Sequence, residues 1–279
     1  MLVRPARAED KDAIVDFCQN TFEWGDYIPR VWDSWLADQK NKLLVGVVNG
    51  RPVGLLHVLF LETGQAWLEG MRVHPDFRRL GVGTAMDIDA REQAAKLGYH
   101  IARLVTSVDN LPAQRTLPTQ GYHFLARFNN WKAPPAELES TPFPVAVPGD
   151  LPVILMMWNH SRAREAGSGL LAHLDWKWTE LTEHRLLTHI DAGEVRMAPR
   201  GFAILHPFEE EDERGIEILA LCGDEETSNR LALGARAETH YRGYSEVDAV
   251  LAEDDQLAMA LSNAGYMREG GELVYEQTL

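Results

Sequence analysis

The sequence predicts an α+β protein of two domains, each built from a mixed, mostly antiparallel sheet flanked by helices. Apolar, strand-like runs alternate with segments of helical periodicity in the first half of the 279 residues, and the same order returns more faintly in the second half. Between the halves, residues 133–149 contain five prolines, which favour an extended chain because proline cannot donate a backbone hydrogen bond. We therefore expect one domain over residues 1–133, a proline-rich linker over 134–149 and a second domain over 150–279.

The first half is expected to run from antiparallel strands to a strand–helix–strand unit. Asn49-Gly50 favours a two-residue hairpin turn. Met86, Ala90 and Ala94 recur at helical spacing before Gly98, a residue typical of a helix C-terminus. The predicted elements, in order, are a strand at 2–4, helices at 9–21 and 30–38, strands at 43–48, 52–61 and 66–73, a helix at 83–97, a strand at 101–108, a short helix near 111–117 and a strand at 123–132.

The second half is expected to be a fainter copy of the first. Gly121-Tyr122 follows Val105 by 16 residues and Gly265-Tyr266 follows Val250 by 15, a spacing that favours an internal duplication. An unrelated α+β domain is the alternative. The predicted elements are helices at 150–166 and 178–191, strands at 201–207 and 215–222, a helix at 226–243, a strand at 246–252, a short helix at 255–263 and a strand at 272–278.

Charge and composition exclude several classes of function. The chain carries 27 Lys and Arg against 42 Asp and Glu, a net charge of −15 that repels a phosphate backbone and disfavours nucleic-acid binding. No apolar stretch approaches the length of a membrane span, and the N-terminus lacks the pattern of a signal peptide. We expect a soluble cytoplasmic protein with no nucleic-acid or membrane partner, either a monomer or a homodimer. Residues 1–133 hold 16 Lys and Arg and 15 Asp and Glu, whereas residues 134–279 hold 11 and 27, so a polyanionic cofactor would bind the first half.

The segment richest in chemistry is residues 66–84, AWLEGMRVHPDFRRLGVGT. A predicted strand ends at Val73, and the run from Arg78 to Gly83 opens a helix. The first amides of a helix have no partner within it and lie at the positive end of its dipole. Two glycines leave these amides accessible while the arginines add charge, so the segment predicts a pyrophosphate site. A purely structural helix-opening turn is the alternative.

This stretch resembles the acyl-CoA-binding motif of the GNAT superfamily of N-acetyltransferases, Gln/Arg-x-x-Gly-x-Gly/Ala, which Arg78, Gly81 and Gly83 fill. Further on, Asn110-x-x-Ala113 followed by Gly121-Tyr122 resembles the second motif of the family. The resemblance spans residues 2–132 and implies the GNAT fold, acetyl-CoA as co-substrate and N-acetyltransferase activity. Together with the internal duplication, it predicts that the second half is a degenerate GNAT-like domain. Acidic residues replace the phosphate loop at 223–229 and would repel a pyrophosphate.

The resemblance assigns roles to the cofactor-binding residues. Main-chain groups of Met71 and Val73 would meet the pantetheine arm, and one such amide would polarise the thioester carbonyl. The loop residues would hold the pyrophosphate, and Asn110 would steer the cofactor near the following helix. The expected cofactor-binding residues are Met71, Val73, Arg78, Arg79, Gly81, Val82, Gly83, Thr84 and Asn110.

The resemblance also names a general base but leaves the general acid open. Glu69 occupies the position of the catalytic glutamate; its alternatives are an outward-facing strand glutamate or a structural ion pair. The tyrosine that protonates the departing thiolate in many relatives is Leu117 here, with Tyr99 and Tyr122 as possible substitutes or as core aromatics. One acid–base group contributes about 10²–10⁴ in rate, whereas orienting the reactants contributes about 10⁵–10⁸. The missing tyrosine should therefore slow the reaction rather than abolish it.

The acceptor amine is expected to bind the aromatic segment at residues 22–36. Trp24, Asp26 and Tyr27 combine aromatic surface with a carboxylate, which suits a cationic amine, although core packing would explain the same residues. The segment and the LEGMRVHP strand are similar to the GNAT branch that includes the vertebrate histidine N-acetyltransferase, which implies a small amine or a free amino acid. A non-catalytic acyl-CoA-binding or sensing protein is the alternative function. No metal site is predicted, since His184 and His189 are five residues apart and share no helix face.

Overall fold

The chain forms two compact units. The computed structural model describes residues 1–19, 21, 25–137, 143–173, 176–210 and 213–279. The first unit comprises Met1–Leu104, Arg115–His123 and Tyr275–Leu279, and the second comprises Val105–Gln114 and Phe124–Val274. Each unit contains a mixed sheet with helices packed on it, which confirms the α+β fold class. The domain limits at residues 133 and 150 stay predictions.

The first unit contains a sheet with helices on both faces. Its elements are β1 (Leu2–Pro5), α1 (Lys11–Cys18), α2 (Ile28–Ala37), β2 (Lys42–Val48), β3 (Arg51–Leu61), β4 (Gln65–Val73), α3 (Val82–Lys96) and β5 (Ile101–Ser107), of which residues 101–104 belong to this unit. The strands lie in the order β1-β2-β3-β4-β5, antiparallel except for the parallel pair β4 and β5. The elements predicted in the first half are thus confirmed to within a few residues.

Two glycines fix helix α3 against the sheet. A Cβ on Gly54 would lie 2.7 Å from the Met86 side chain, and one on Gly46 would lie 2.9 Å from that of Val82. Alternate residues of β2, such as Val45, face the opposite side, where α1 and α2 close the core over Ile14 and Trp32. This close approach sets the first turn of α3 beside the end of β4.

The second unit repeats the strand–helix–strand pattern. Its elements are α4 (Leu111–Thr116, shared with the first unit), β6 (His123–Ala133), α5 (Leu151–Asn159), α6 (Arg162–Ala166), β7 (Leu170–His173), β8 (Lys177–Glu180), α7 (Glu183–Asp191), β9 (Val195–Ala198), β10 (Gly201–Glu210), β11 (Glu213–Cys222), α8 (Glu225–Tyr241), β12 (Glu246–Ala252), α9 (Asp255–Asn263) and β13 (Met267–Thr278), of which residues 267–274 belong to this unit. The main sheet has the order β13-β6-β12-β11-β10-β9, and β11 and β12 pair in parallel. Helix α8 joins these two parallel strands, as α3 joins β4 and β5.

Two helices predicted in the second half are wrong in part. The helix predicted at 150–166 is two helices, because Ser161 accepts a hydrogen bond from the Arg164 amide (3.1 Å) and starts α6. The helix predicted at 178–191 begins only after Thr182, which caps α7. The preceding residues form β8, which pairs with β7 and places Trp178 in the core. Neither β7 nor β9 was predicted, since four-residue strands show too little alternation to be recognised.

None of the helices in the described part of the chain combines the length and hydropathy that a membrane-spanning helix requires.

Candidate active site

Strand β4 carries a bulge at its centre. Leu55 pairs with Arg72 and His57 pairs with Glu69, so two residues of β4, Gly70 and Met71, face the single residue between them on β3. Gly70 has φ +67°, and a Cβ there would lie 2.8 Å from the Trp35 ring, so only glycine fits. On its other side, β4 pairs with β5 only over residues 65–67. The stretch from Glu69 to Val73 therefore pairs with β3 around the bulge but not with β5, and the candidate site lies there.

The loop after β4 opens helix α3 with two left-handed residues. Arg79 has φ +62°, and Gly81, which caps the helix, has φ +81°. Such a loop is typical of an anion site that presents successive backbone N–H groups. The helical ladder starts with the Ala85 amide on the Gly81 carbonyl (2.9 Å), so the three preceding amides lie before it. A Cβ at Gly81 would meet no atom within 4 Å, so there is space over the loop for a ligand.

The side chains predicted to assist this loop are partly engaged. The Nε of Arg78 donates to the Val73 carbonyl (3.1 Å), and this contact ties the loop to the end of β4. The Thr84 hydroxyl accepts from Gln120 (2.8 Å). Met71 is exposed, and Arg79 lies in solvent. The structure thus brings all the predicted loop and strand residues of the first unit to one end of β4.

Glu69 pairs with a histidine that the sequence analysis missed. The Nδ1 of His57 lies 2.9 Å from Oε1 of Glu69, and the carboxylate keeps 17% of its side-chain surface exposed. The His57 ring is buried and stacks on Trp35 with centroids 4.1 Å apart. In a neutral ring with the proton on Nδ1, His57 donates to the carboxylate and holds its orientation. The register of the β3–β4 hairpin would have revealed this pair. Leu61 and Gln65 flank the turn, His57 lies four residues before Leu61, and Glu69 lies four residues after Gln65.

Asp26 is fully buried against an arginine. Arg72 donates from Nε to Asp26 Oδ2 (2.8 Å) and from Nη2 to Oδ1 (3.3 Å), while Asp26 also accepts from the Ile28 amide (3.1 Å). The guanidinium lies over the Tyr27 ring, 5.2 Å from its centroid. Burial raises the pKa of Tyr27, an effect opposed by the nearby Arg72 charge. Asp26 therefore faces Arg72, whose side chain is 14% exposed, and Tyr27 is half-buried. Trp24 lies outside the described residues.

Tyr122 and Leu117 belong to the core, whereas Tyr99, the other tyrosine considered for the general acid, is partly exposed. The Tyr122 hydroxyl donates to Asp87 (2.8 Å), which also accepts from Arg91 (2.9 Å). Burial raises the pKa of Tyr122 far above its usual range, so this hydroxyl holds its proton. Leu117 is buried, and Tyr99 packs on Phe60 with centroids 4.8 Å apart.

Asn110 belongs to the second unit, and the site described above is built from the first unit alone. Its Nδ2 donates to Thr106 (2.9 Å), and its Oδ1 accepts from the Ala113 amide (3.3 Å). The side chain therefore has a local role at the start of α4.

Three comparisons with known proteins point the same way. Residues 12–122 match the model of the Acetyltransferase (GNAT) family. Over 78 residues the chain is 33% identical to a histidine N-acetyltransferase of Oreochromis niloticus and 32% identical to one of Scomber australasicus. These matches cover 28% of this chain and 23% of each relative, so the chain spans about a quarter of the length of the curated relatives it matches.

Two solved structures share the fold over the whole chain. A GCN5-related N-acetyltransferase from Sphaerobacter thermophilus has a TM-score of 0.64 at 16% identity, covering 99% of this chain and 95% of that one. A structure from Thermoplasma acidophilum has a TM-score of 0.61 at 16% identity and covers 100% of both chains. At this identity the likeness establishes the fold alone.

Proposed function

We propose that the protein is an acyltransferase that moves the acetyl group of acetyl-CoA to the primary amine of a small molecule, as the match of residues 12–122 to the Acetyltransferase (GNAT) family model supports. The observation that carries this proposal is that one strand, β4, positions both the candidate base and the candidate phosphate loop. Glu69 with its His57 partner lies at the β4 bulge, and the glycine-opened start of α3 follows the end of the same strand.

The first unit has a suitable set of groups for acetyl-CoA. The amides of Gly81, Val82, Gly83 and Thr84 would bind the pyrophosphate, with charge from Arg78 and Arg79. The pantetheine would run along β4, meeting main-chain groups of Met71 and Val73. The carbonyls of Val73 and Met71 already accept hydrogen bonds from Arg78 and Arg72, each at 3.1 Å.

Glu69 would act as the general base. The amine nitrogen attacks the thioester carbonyl carbon, Glu69 accepts the proton that the nitrogen loses, and a β4 amide holds the developing oxyanion. The carbon–sulfur bond then breaks and CoA leaves. A thiol of pKa about 8.5 is a fair leaving group near neutral pH. This supports turnover with Leu117 in the place of the acid.

A small amine or a free amino acid is the acceptor that we propose. An α-amine of pKa about 8 is appreciably neutral near pH 7.5, whereas a lysine side chain of pKa about 10.4 is neutral in about one part in a thousand. The relation to histidine N-acetyltransferases supports this choice. Trp24 and Tyr27 would flank the acceptor, and Asp26 would act through Arg72, whose position it fixes.

A non-catalytic acyl-CoA-binding or sensing protein is the second candidate, favoured by the buried Leu117 at the position of the acid. Calorimetry with CoA, paired with a thiol-release assay over free amino acids, polyamines and peptides, distinguishes the two. The enzyme binds CoA and releases thiol with at least one acceptor. Binding without release across the panel would favour the sensing protein, and the absence of binding would remove both.

We also propose that the second unit is a degenerate GNAT-like domain that binds no CoA and that the protein works in the cytoplasm. Whole-chain likeness to the Sphaerobacter structure supports the fold proposed for the second unit.

A further inference from the structure

We propose that His189, Glu194 and His206 form a binding site for a divalent transition-metal ion in the second unit, with Zn²⁺ the best match. Their potential ligand atoms all lie within 4.8 Å of one another. Two imidazole nitrogens and one carboxylate oxygen form a donor set that binds Zn²⁺ with further positions open to water. The proposal is independent of acetyl transfer, since none of the three residues lies in the first unit.

Both histidines direct their Nδ1 atoms to the Glu194 carboxylate. His189 Nδ1 lies 2.6 Å from Oε2 of Glu194, and His206 Nδ1 lies 2.8 Å from Oε1. A tetrahedral zinc ion about 2.0–2.2 Å from each donor holds neighbouring donors about 3.3–3.6 Å apart, so these pairs must separate by roughly 0.5–1 Å. Side-chain rotation can supply a shift of this size.

The backbone already brings the three residues together. The Glu194 amide donates to the His189 carbonyl (3.0 Å), and the Leu205 amide donates to the Glu194 carbonyl (2.8 Å). Gly193, with φ +69°, makes the tight turn between α7 and β9. These backbone hydrogen bonds hold His189, Glu194 and Leu205, the neighbour of His206, close together. Binding a metal would therefore require little reordering of the chain.

Charge and access also suit a cation. Within the described ranges, no Lys or Arg forms an ion pair with Glu194, whose partners are His189 and His206 alone. A neutral imidazole does not balance the carboxylate charge, and a divalent ion would. The His206 side chain is 36% exposed, against 12% for His189, so solvent reaches the cluster from the β10 side.

Coordination changes the protons on both rings. A neutral ring that binds through Nδ1 carries its proton on Nε2, and a charged ring releases one proton to solvent. The bound ion would join the C-terminus of α7 to β9 and β10, and it would stabilise the folded state by mass action.

The test is a zinc titration of the full chain after removal of metals with a chelator. Calorimetry of the wild-type protein should show one Zn²⁺ bound per chain, and zinc should raise its midpoint of thermal unfolding. His206→Asn and Glu194→Gln should each weaken binding by at least about tenfold and remove the thermal shift. His184→Asn is the matched control. It removes an exposed histidine of α7, the helix that carries His189, and zinc binding should be unchanged.

Absence of zinc binding to the wild-type protein would overturn the proposal, as would equal binding by His206→Asn and His184→Asn. Either result would make the cluster a hydrogen-bonded network without a metal. His206 is partly exposed, so its variant should keep the fold, checked by circular dichroism, and it decides the matter if Glu194→Gln fails to fold.

Discussion

The two units contain the same strand–helix–strand arrangement with opposite electrostatics at the start of the helix. Helix α3 follows β4 and begins after Gly81, with Arg78 and Arg79 just before it. Helix α8 follows β11 and begins after Asp224, whose carboxylate accepts a hydrogen bond from the Thr227 amide (2.9 Å). At the start of α3 no side chain caps the first amides, so an external anion can bind them. At the start of α8 the Asp224 carboxylate already accepts a hydrogen bond from one of them.

This difference shows how a shared topology gains or loses a ligand site. The positive end of the dipole is present in both helices. In α8 the cap of Asp224 and the acidic side chains of Glu225 and Glu226 already satisfy it, and they would repel a diphosphate. In α3 glycine supplies the left-handed backbone without any competing side chain. The following predictions test this contrast, from the largest expected effect to the smallest.

Glu69→Gln should lower kcat by about 10²–10⁴, because the variant cannot accept the proton of the amine. The dissociation constant for CoA should not change, since Glu69 lies at the bulge and not in the phosphate loop. Steady-state kinetics and calorimetry measure the two quantities. Glu62→Gln, in the exposed turn between β3 and β4, is the control. An unchanged rate for Glu69→Gln at every pH would remove Glu69 from the mechanism.

Gly81→Asp places a carboxylate at the N-cap of α3, the position that Asp224 occupies in α8. The variant should bind CoA about 100-fold or more weakly. A carboxylate about 5 Å from a diphosphate costs roughly 3 kcal/mol per charge at surface dielectric. Gly81→Asn is the matched control, because Asn and Asp tolerate the left-handed conformation similarly and differ in charge. If the two variants bind CoA equally well in calorimetry, electrostatics does not distinguish the two helix starts.

His57→Phe should lower kcat by about 10- to 100-fold, since a hydrogen bond to a charged group contributes about 1.5–3 kcal/mol. The ring stacking on Trp35 is kept, and the donor to Glu69 is lost. The dissociation constant for CoA should not change, because His57 lies at the bulge and not in the phosphate loop. A purely structural histidine would lower the midpoint of thermal unfolding and leave kcat unchanged.

Asp224→Ala should lower the midpoint of thermal unfolding by a few degrees, through loss of the α8 cap. Hydrogen bonds from Thr227 lower the pKa of Asp224. The stabilisation is therefore present above the usual carboxyl pKa of about 4 and is lost as the pH falls through the lowered value. Melting curves of both proteins should differ at pH 7, and the difference should shrink as the pH falls below about 4. A difference that persists unchanged at low pH would mean that the charged cap is not its cause.

Local features of the sequence were predictable, and long-range pairs were not. The loop from Arg78 to Thr84 could be located because one short segment holds its glycines, its charge and the helix start. The pairing of His57 with Glu69 was within reach, since a three-residue turn fixes the register of the two strands.

The other contacts depend on packing between distant segments. Asp26 and Arg72 are 46 residues apart, so only the packing of α2 on the sheet could reveal that this carboxylate already has a cationic partner. In the same way, His189 and His206 lie on different elements and show no short ligand spacing. The four-residue strands β7 and β9 were missed because tertiary contacts, rather than local propensity, stabilise them.

An NMR titration with CoA tests the central claim most directly, because it follows the backbone amides at both helix starts in one experiment. We expect CoA to shift the amide resonances of Gly81 to Thr84 in a saturable way and to leave those of Glu225 to Thr227 unchanged. If the amides of α3 do not respond, or if both helix starts respond alike, the open start of α3 is not a diphosphate site and the proposed function loses its basis.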